Sequence, residues 1–245
     1  MDAQVERLAQ KTWAKFQTVP RSRRLMIAVS GIPGSGKTTL AALVTNRINA
    51  LADDQSPGLA SEHVAAFIPM DGYHLTRAQL SAMPDPDTAH ARRGADFTFD
   101  APAYLELIKQ LRKPLCAEST TIYAPSFDHA VKDPVADDIP VHPSARILIF
   151  EGLYLSLGTA APEWKDAAEM MDELWFVEVD MARAKRRLTF RHLKAGLADS
   201  EEAAARRAEE NDLVNGQQII EGRMQVHEVI ESIEDETWAP EEQGP

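Results

Sequence analysis

The chain has 245 residues, 44% of them hydrophobic and 26% charged, with a formal net charge of −12. These values suit a sizeable core in one α/β domain, or a domain with insertions, and exclude a disordered chain. The acidic balance argues against nucleic acid as a partner, no apolar run approaches the ~20 residues that span a bilayer, and the lone cysteine, Cys116, excludes an internal disulfide framework and a cysteine zinc cluster.

In chain order, MDAQVERLAQKTWAKFQ sets Val5, Leu8, Trp13 and Phe16 at helical spacing and lacks a signal peptide's apolar centre. An N-terminal helix within 1–20 and a cytosolic location are expected. LMIAVS (25–30) is short, apolar and ends at glycine, as a buried strand does. Residues 63–70, 145–152, 173–180 and 226–233 read as further strands, and 38–51, 100–112, 163–171 and 181–195 as helices between them. This alternation predicts a three-layer α/β/α domain over 21–233 around a mostly parallel five-stranded sheet. The proline-rich, aromatic-punctuated stretch 84–143 breaks the rhythm and reads as a functional excursion over the sheet. The acidic end, 234–245, reads as a disordered tail.

Gly31, Gly36, Lys37 and Thr38 fit G-x-x-x-x-G-K-[ST] between a predicted strand and a predicted helix. The backbone of Gly31, Gly34, Ser35 and Gly36 would turn its N–H groups around an anion, and the helix N-terminus carrying Lys37, Thr38 and Thr39 adds positive potential. Lys37 suits the β- and γ-phosphates of a nucleoside triphosphate and the Thr38 hydroxyl suits Mg²⁺. The guanine-reading N-K-x-D of GTPases is not in the sequence.

Ligands of open α/β sheets bind outside the carboxyl ends of the strands. Asp71, after the second strand, and Glu151, ending the third, therefore belong to the same lip. Asp71 is assigned as the base for an acceptor hydroxyl, against the alternative of a turn-forming Asp-Gly. Glu151 is assigned as a metal ligand or acceptor-orienting group, against a helix cap.

The series GIPGSGKTTLA, PMDGYH, IFEGLYL and VDMARAKRRLTFRHLKAG resembles the uridine kinase, phosphoribulokinase and bacterial pantothenate kinase group of P-loop kinases over about residues 20–233. The resemblance implies an ATP- and Mg²⁺-dependent kinase in which Asp71 activates the acceptor. It makes 84–143 the acceptor-binding insertion and 181–212 a mobile lid whose arginines, Arg183, Arg187 and Arg191, close over the triphosphate. Arg187 is then catalytic. DGYH is closer to pantothenate kinases and sugar-kinase relatives than to the Asp-Ser-Phe-Tyr common in uridine kinases. TIYAPSFDHAVKDP resembles the family's hairpin over the acceptor pocket, which implies Tyr123, Phe127, Asp128 and His129 as acceptor contacts, with Tyr123 and Phe127 open between stacking on a base and forming the hairpin's core. Tyr73, His74 and Arg93 are further candidate acceptor contacts. Lys132 only approximates the family's basic residue there. ENDLVNG, with Asn211, Asp212 and Asn215, resembles a segment near the nucleotide.

The ranked acceptors are a nucleoside or ribosyl compound, then a pantothenate-like molecule, then a sugar or sugar phosphate, for which Arg92 and Arg93 would supply cations. A P-loop ATPase acting as a switch on a protein partner is the rival of another class. The partners expected are ATP and a small-molecule acceptor, without nucleic acid or membrane, and the sequence leaves a homodimer open.

Overall fold

A computed structural model describes residues 1–55 and 63–233. Five strands, β1 (Leu25–Gly31), β2 (Ala65–Pro69), β5 (Ile147–Glu151), β6 (Glu173–Glu178) and β7 (Glu228–Glu231), form one sheet in the order β2-β5-β1-β6-β7. Every pairing in it is parallel. From β1 the chain first builds β2 and β5 on one side, then β6 and β7 on the other. The carboxyl end of β1 is thus the switch point at which such sheets open a crevice. The other two strands, β3 (Ile122–Asp128) and β4 (Asp133–Val141), make a separate antiparallel hairpin within the expected insertion.

The sheet is covered on both faces because its strands alternate two apolar sets with period two. Leu25, Ile27 and Val29 of β1, with Ile147, Ile149, Trp175 and Val177, pack beneath helices α1 (Asp2–Phe16) and α2 (Lys37–Gln55). Met26 and Ala28, with Leu148, Phe150, Leu174 and Phe176, face the opposite layer. There α5 (Ala101–Arg112) supplies Tyr104 and Ile108, and α6 (Pro162–Glu169) supplies Trp164. Asp100 caps α5 by accepting from the Ala103 amide at 2.9 Å, with Pro102 in the first turn.

Helix α1 docks on its own core. Val5, Leu8 and Trp13 are buried, and its basic face is paired with the sheet edge. Lys15 and Lys11 lie 2.8 Å and 3.2 Å from Glu173, and Arg7 and Lys11 each lie 2.8 Å from Glu228. Burial pushes the Glu173 carboxyl up, but the hydrogen bonds from Lys15 and Trp175, together with the charges of Lys11 and Lys15, outweigh it and hold the group below the usual range.

Two short helices, α3 (Arg77–Ser81) and α4 (Pro86–Ala91), precede α5. After β6 come α7 (Met181–Lys194) and α8 (Glu201–Arg207), then a π-helical turn, Ala208–Asp212, that runs into α9 (Leu213–Gly222). Among the described residues no helix is long and apolar enough to cross a membrane. The tail expected at 234–245 lies outside the described residues.

Candidate active site

The loop from Gly31 to Gly36 joins the buried end of β1 to α2, which starts at Lys37. At Gly34 the backbone has φ +79°, and a Cβ there would sit 2.9 Å from the Ala184 carbonyl oxygen. Glycine therefore serves both the turn and the close seating of α7 against the loop. The Ser35 hydroxyl is buried without a hydrogen-bond partner, an unsatisfied polar group of the kind a bound ligand would satisfy.

Glu151 faces the loop from the neighbouring strand. Its register partners are Val29 on one side and Pro69 on the other, so it lies between the ends of β1 and β2. Its Oε1 accepts from the Thr38 hydroxyl at 3.0 Å and lies 3.7 Å from Lys37 Nζ. Burial pushes the Glu151 carboxyl up; Lys37 opposes the rise and Asp71 adds to it. A hydroxyl and a carboxylate side by side are the hard oxygen donors Mg²⁺ prefers, and that ion needs few protein ligands when phosphates and water complete its shell. The residues present fit it.

Of the three arginines expected in a lid, Arg187 reaches the loop, and Arg183 shares its partner Ser232. Arg187 Nη1 donates to the Gly34 carbonyl at 3.1 Å and to the Ser232 hydroxyl at 2.9 Å, and Arg183 Nη1 donates to the Ser232 carbonyl at 3.0 Å. Arg191 turns elsewhere. Its side chain is 61% exposed and its guanidinium lies 3.9 Å from Asp212.

The facing wall begins where β2 ends. The 3₁₀ turn Met70–Tyr73 presents Asp71, whose side chain is 49% exposed. At Gly72 a Cβ would fall 2.1 Å from the Pro125 carbonyl oxygen. Only glycine lets β3 cross this turn, at the irregularity between Ala124 and Ser126 where proline's missing N–H is tolerated. Tyr73 is turned inward and packs edge-on against Tyr104 at 5.3 Å, so its ring serves the core.

His74 stacks 4.0 Å from Phe99 and 4.9 Å from Phe127, ring centre to ring centre. Its Nδ1 lies 2.8 Å from the Asp71 carbonyl. A carbonyl only accepts, so Nδ1 carries the proton and the neutral ring keeps an acceptor lone pair on Nε2. Burial lowers the His74 pKa, against the opposing pull of Asp71. His129 lies 5.2 Å from Phe127, edge-on, and the Arg93 guanidinium sits 5.5 Å over the same ring. Arg93 also donates to the Lys132 carbonyl at 2.7 Å and the Leu75 carbonyl at 2.9 Å. Asp128 accepts from the amides of Ala130 and Val131 and so caps the hairpin turn. Tyr123 pairs with Pro140 while Phe127 pairs with Pro134. Four residues along a strand place Tyr123 about 13 Å from Phe127.

The structure thus gathers Lys37, Thr38, Glu151, Asp71 and Arg187 at one lip, with Arg183 behind Arg187 on Ser232 and with His74, Phe127, His129 and Arg93 beside it. It leaves Tyr73 in the core, Tyr123 at the far end of the hairpin and Arg191 against Asp212. Sequence reasoning missed Phe99, although it lies two residues before the α5 first turn and bridges His74. It also placed Asn211 and Asn215 near the nucleotide. Their amide oxygens accept from Arg92, at 3.0 Å and 2.7 Å.

A family model described as the phosphoribulokinase / uridine kinase family matches residues 26–182. The chain is 50% identical to "ATP-dependent kinase-like protein notR'" of Aspergillus versicolor over 161 residues, 66% of this chain and 92% of that one. It is 41% identical to "Putative uridine kinase C227.14" of Schizosaccharomyces pombe over 199 residues, 81% of this chain and 79% of that one. Among solved structures, a "putative fructose transport system kinase" from Silicibacter sp. TM1040 superposes with a TM-score of 0.74 at 32% identity, covering 91% of this chain and 98% of that one.

Proposed function

The chain belongs to the phosphoribulokinase / uridine kinase family of kinases, and on that premise we propose that it transfers the γ-phosphoryl group of ATP to a hydroxyl of a small unphosphorylated metabolite, a nucleoside or other ribosyl compound first. The observation that carries this reading is the exposed Asp71 carboxylate at the same lip as the Lys37–Thr38–Glu151 cluster. Asp71 takes the proton of the acceptor hydroxyl as that oxygen attacks phosphorus. The loop amides, Lys37 and Arg187 stabilise the charge that spreads over the transferring group. Mg²⁺, held by Thr38 and Glu151, would neutralise the phosphate oxygens.

Two features bear on the acceptor. Arg92 and Arg93 donate to partners within the chain, which supports an acceptor without its own phosphate. The partly exposed rings of His74 and Phe127, backed by the buried Phe99, give the acceptor side an aromatic edge on which a base could stack. A sugar acceptor is the second reading, favoured by the likeness to the protein described as a fructose transport system kinase.

The test is incubation with Mg-ATP and a pool of nucleosides, sugars, pantothenate and their monophosphates, followed by mass spectrometry. A phosphorylated nucleoside is the expected product. ADP and free phosphate alone, whatever acceptor is offered, would overturn the reading in favour of an ATPase switch.

A further inference from the structure

The two walls of the site touch through a third element. In the π turn that joins α8 to α9, neighbouring residues face opposite ways. Asp212 Oδ2 lies 2.8 Å from His192 Nε2 of α7, the helix seated on Gly34. Asn211, 8% exposed, accepts from Arg92 Nε at 3.0 Å through Oδ1 and donates to the Arg93 carbonyl at 3.0 Å through Nδ2. One turn on, Asn215, 2% exposed, accepts from Arg92 Nη2 at 2.7 Å. The next residue, Gly216, is so close to the phosphate loop that a Cβ would sit 3.1 Å from Ile32 Cβ.

Segment 92–100 in turn is stitched to the Asp71 turn. The Asp100 amide donates to the Tyr73 carbonyl at 2.7 Å, the Leu75 amide to the Thr98 carbonyl at 2.9 Å, and Arg93 holds the Leu75 and Lys132 carbonyls. A π turn is a rare departure from α geometry, found mostly at functional sites. Here it lets consecutive side chains hold the lid helix and the acceptor segment at once.

We propose that Arg92, Asn211 and Asn215 form a clasp that positions the acceptor wall in response to nucleotide. It rests on the proposed nucleotide site. When nucleotide draws the phosphate loop and α7 together, the π turn and α9 carry the displacement to Arg92 and Arg93, and the Asp71 turn is ordered through them. Arg92, Asn211 and Asn215 are positioning residues, acting through segment 92–100. The arrangement lets the acceptor pocket take shape only with nucleotide present, which favours transfer over hydrolysis.

The test is amide hydrogen exchange on the full chain, with and without Mg²⁺ and a non-hydrolysable ATP analogue, so no acceptor need be known. In the wild type the analogue should slow exchange in 31–38 and 181–194, and also at Leu75, Ala95, Thr98 and Asp100, by about fivefold or more. In Asn211→Ala the loop and lid should keep their protection while those four amides return to the nucleotide-free rate. Arg92→Lys, which loses the forked contact to two amide oxygens, should do the same and carries the test if Asn211→Ala does not fold. Asn211→Asp keeps the oxygen that Arg92 uses but loses the donor to the Arg93 carbonyl, and should give an intermediate response. Protection of the four amides that survives in both variants, or that never arises in a wild type whose loop and lid are protected, overturns the clasp. Absence of protection anywhere overturns the nucleotide site itself and the clasp with it.

Discussion

The two walls of the site are built differently. The nucleotide wall is local: one strand end, one loop and one helix start, all within residues 25–55, with β5 and α7 laid against them. The proposed acceptor wall is assembled from segments far apart in sequence, namely the Asp71 turn, the 92–100 segment, the β3–β4 hairpin and the π turn, held by side-chain to backbone bonds. A wall made of backbone amides suits a phosphate chain shared by many kinases, and a wall made of distant side chains can change its ligand without disturbing the first.

The sharpest way to separate the walls is to disable one at a time. Lys37→Ala should lower kcat/KM by about 10²–10⁴ and weaken nucleotide binding, since the loss falls on the phosphate wall. Asp71→Asn should cost a similar factor in transfer yet leave nucleotide affinity unchanged, because the carboxylate acts on the acceptor. Nucleotide titration beside steady-state kinetics distinguishes the two.

Arginines of the proposed lid give a smaller contrast. Arg187→Ala should reduce kcat by about tenfold or more, whereas Arg191→Ala, whose side chain faces Asp212, should stay within about threefold. Equal losses would mean that α7 rotates on closure. Gly72→Ala should then raise the acceptor KM without altering nucleotide binding and destabilise the fold by about 1–3 kcal/mol, since the new methyl meets backbone and the hairpin must shift. Denaturant unfolding with acceptor kinetics checks both.

The smallest expected effect is a pH slope. Burial lowers the His74 pKa below 6.5, so the unfolded chain binds that proton more readily than the folded one. The contribution of His74 to stability is full above the unfolded pKa and is lost as pH falls through the folded value. His74→Gln should therefore flatten the acid side of the stability profile, measured by unfolding at a series of pH values.

Much of the nucleotide wall was legible because its determinants are contiguous. Period-two burial on both faces marks β1, β5 and β6, and glycines followed by Lys37 and Thr38 mark the loop. The five strands of the sheet lie where the apolar runs place them: β1 runs one residue past 25–30, and the other four are trimmed by a residue or two at one or both ends. The acceptor wall was legible only in part. His74 and Phe127 stood out as types, but a 3₁₀ turn, not an extended strand, decides that Asp71 faces out and Tyr73 faces in. The Arg92–Asn211 bond spans 119 residues, and no local pattern announces it. Helices α3 and α4, of five and six residues, are too short for an amphipathic period to show.

The central claim is that Asp71 turns a nucleotide-binding loop into a phosphotransferase site. The direct measurement compares wild type and Asp71→Asn in Mg-ATP with the metabolite pool, following both phosphorylated acceptor and free phosphate, with nucleotide affinity measured alongside. The account predicts that the variant binds nucleotide as the wild type does and makes almost no phosphorylated acceptor. A variant that turns over ATP at the wild-type rate, whether or not an acceptor is present, would contradict it.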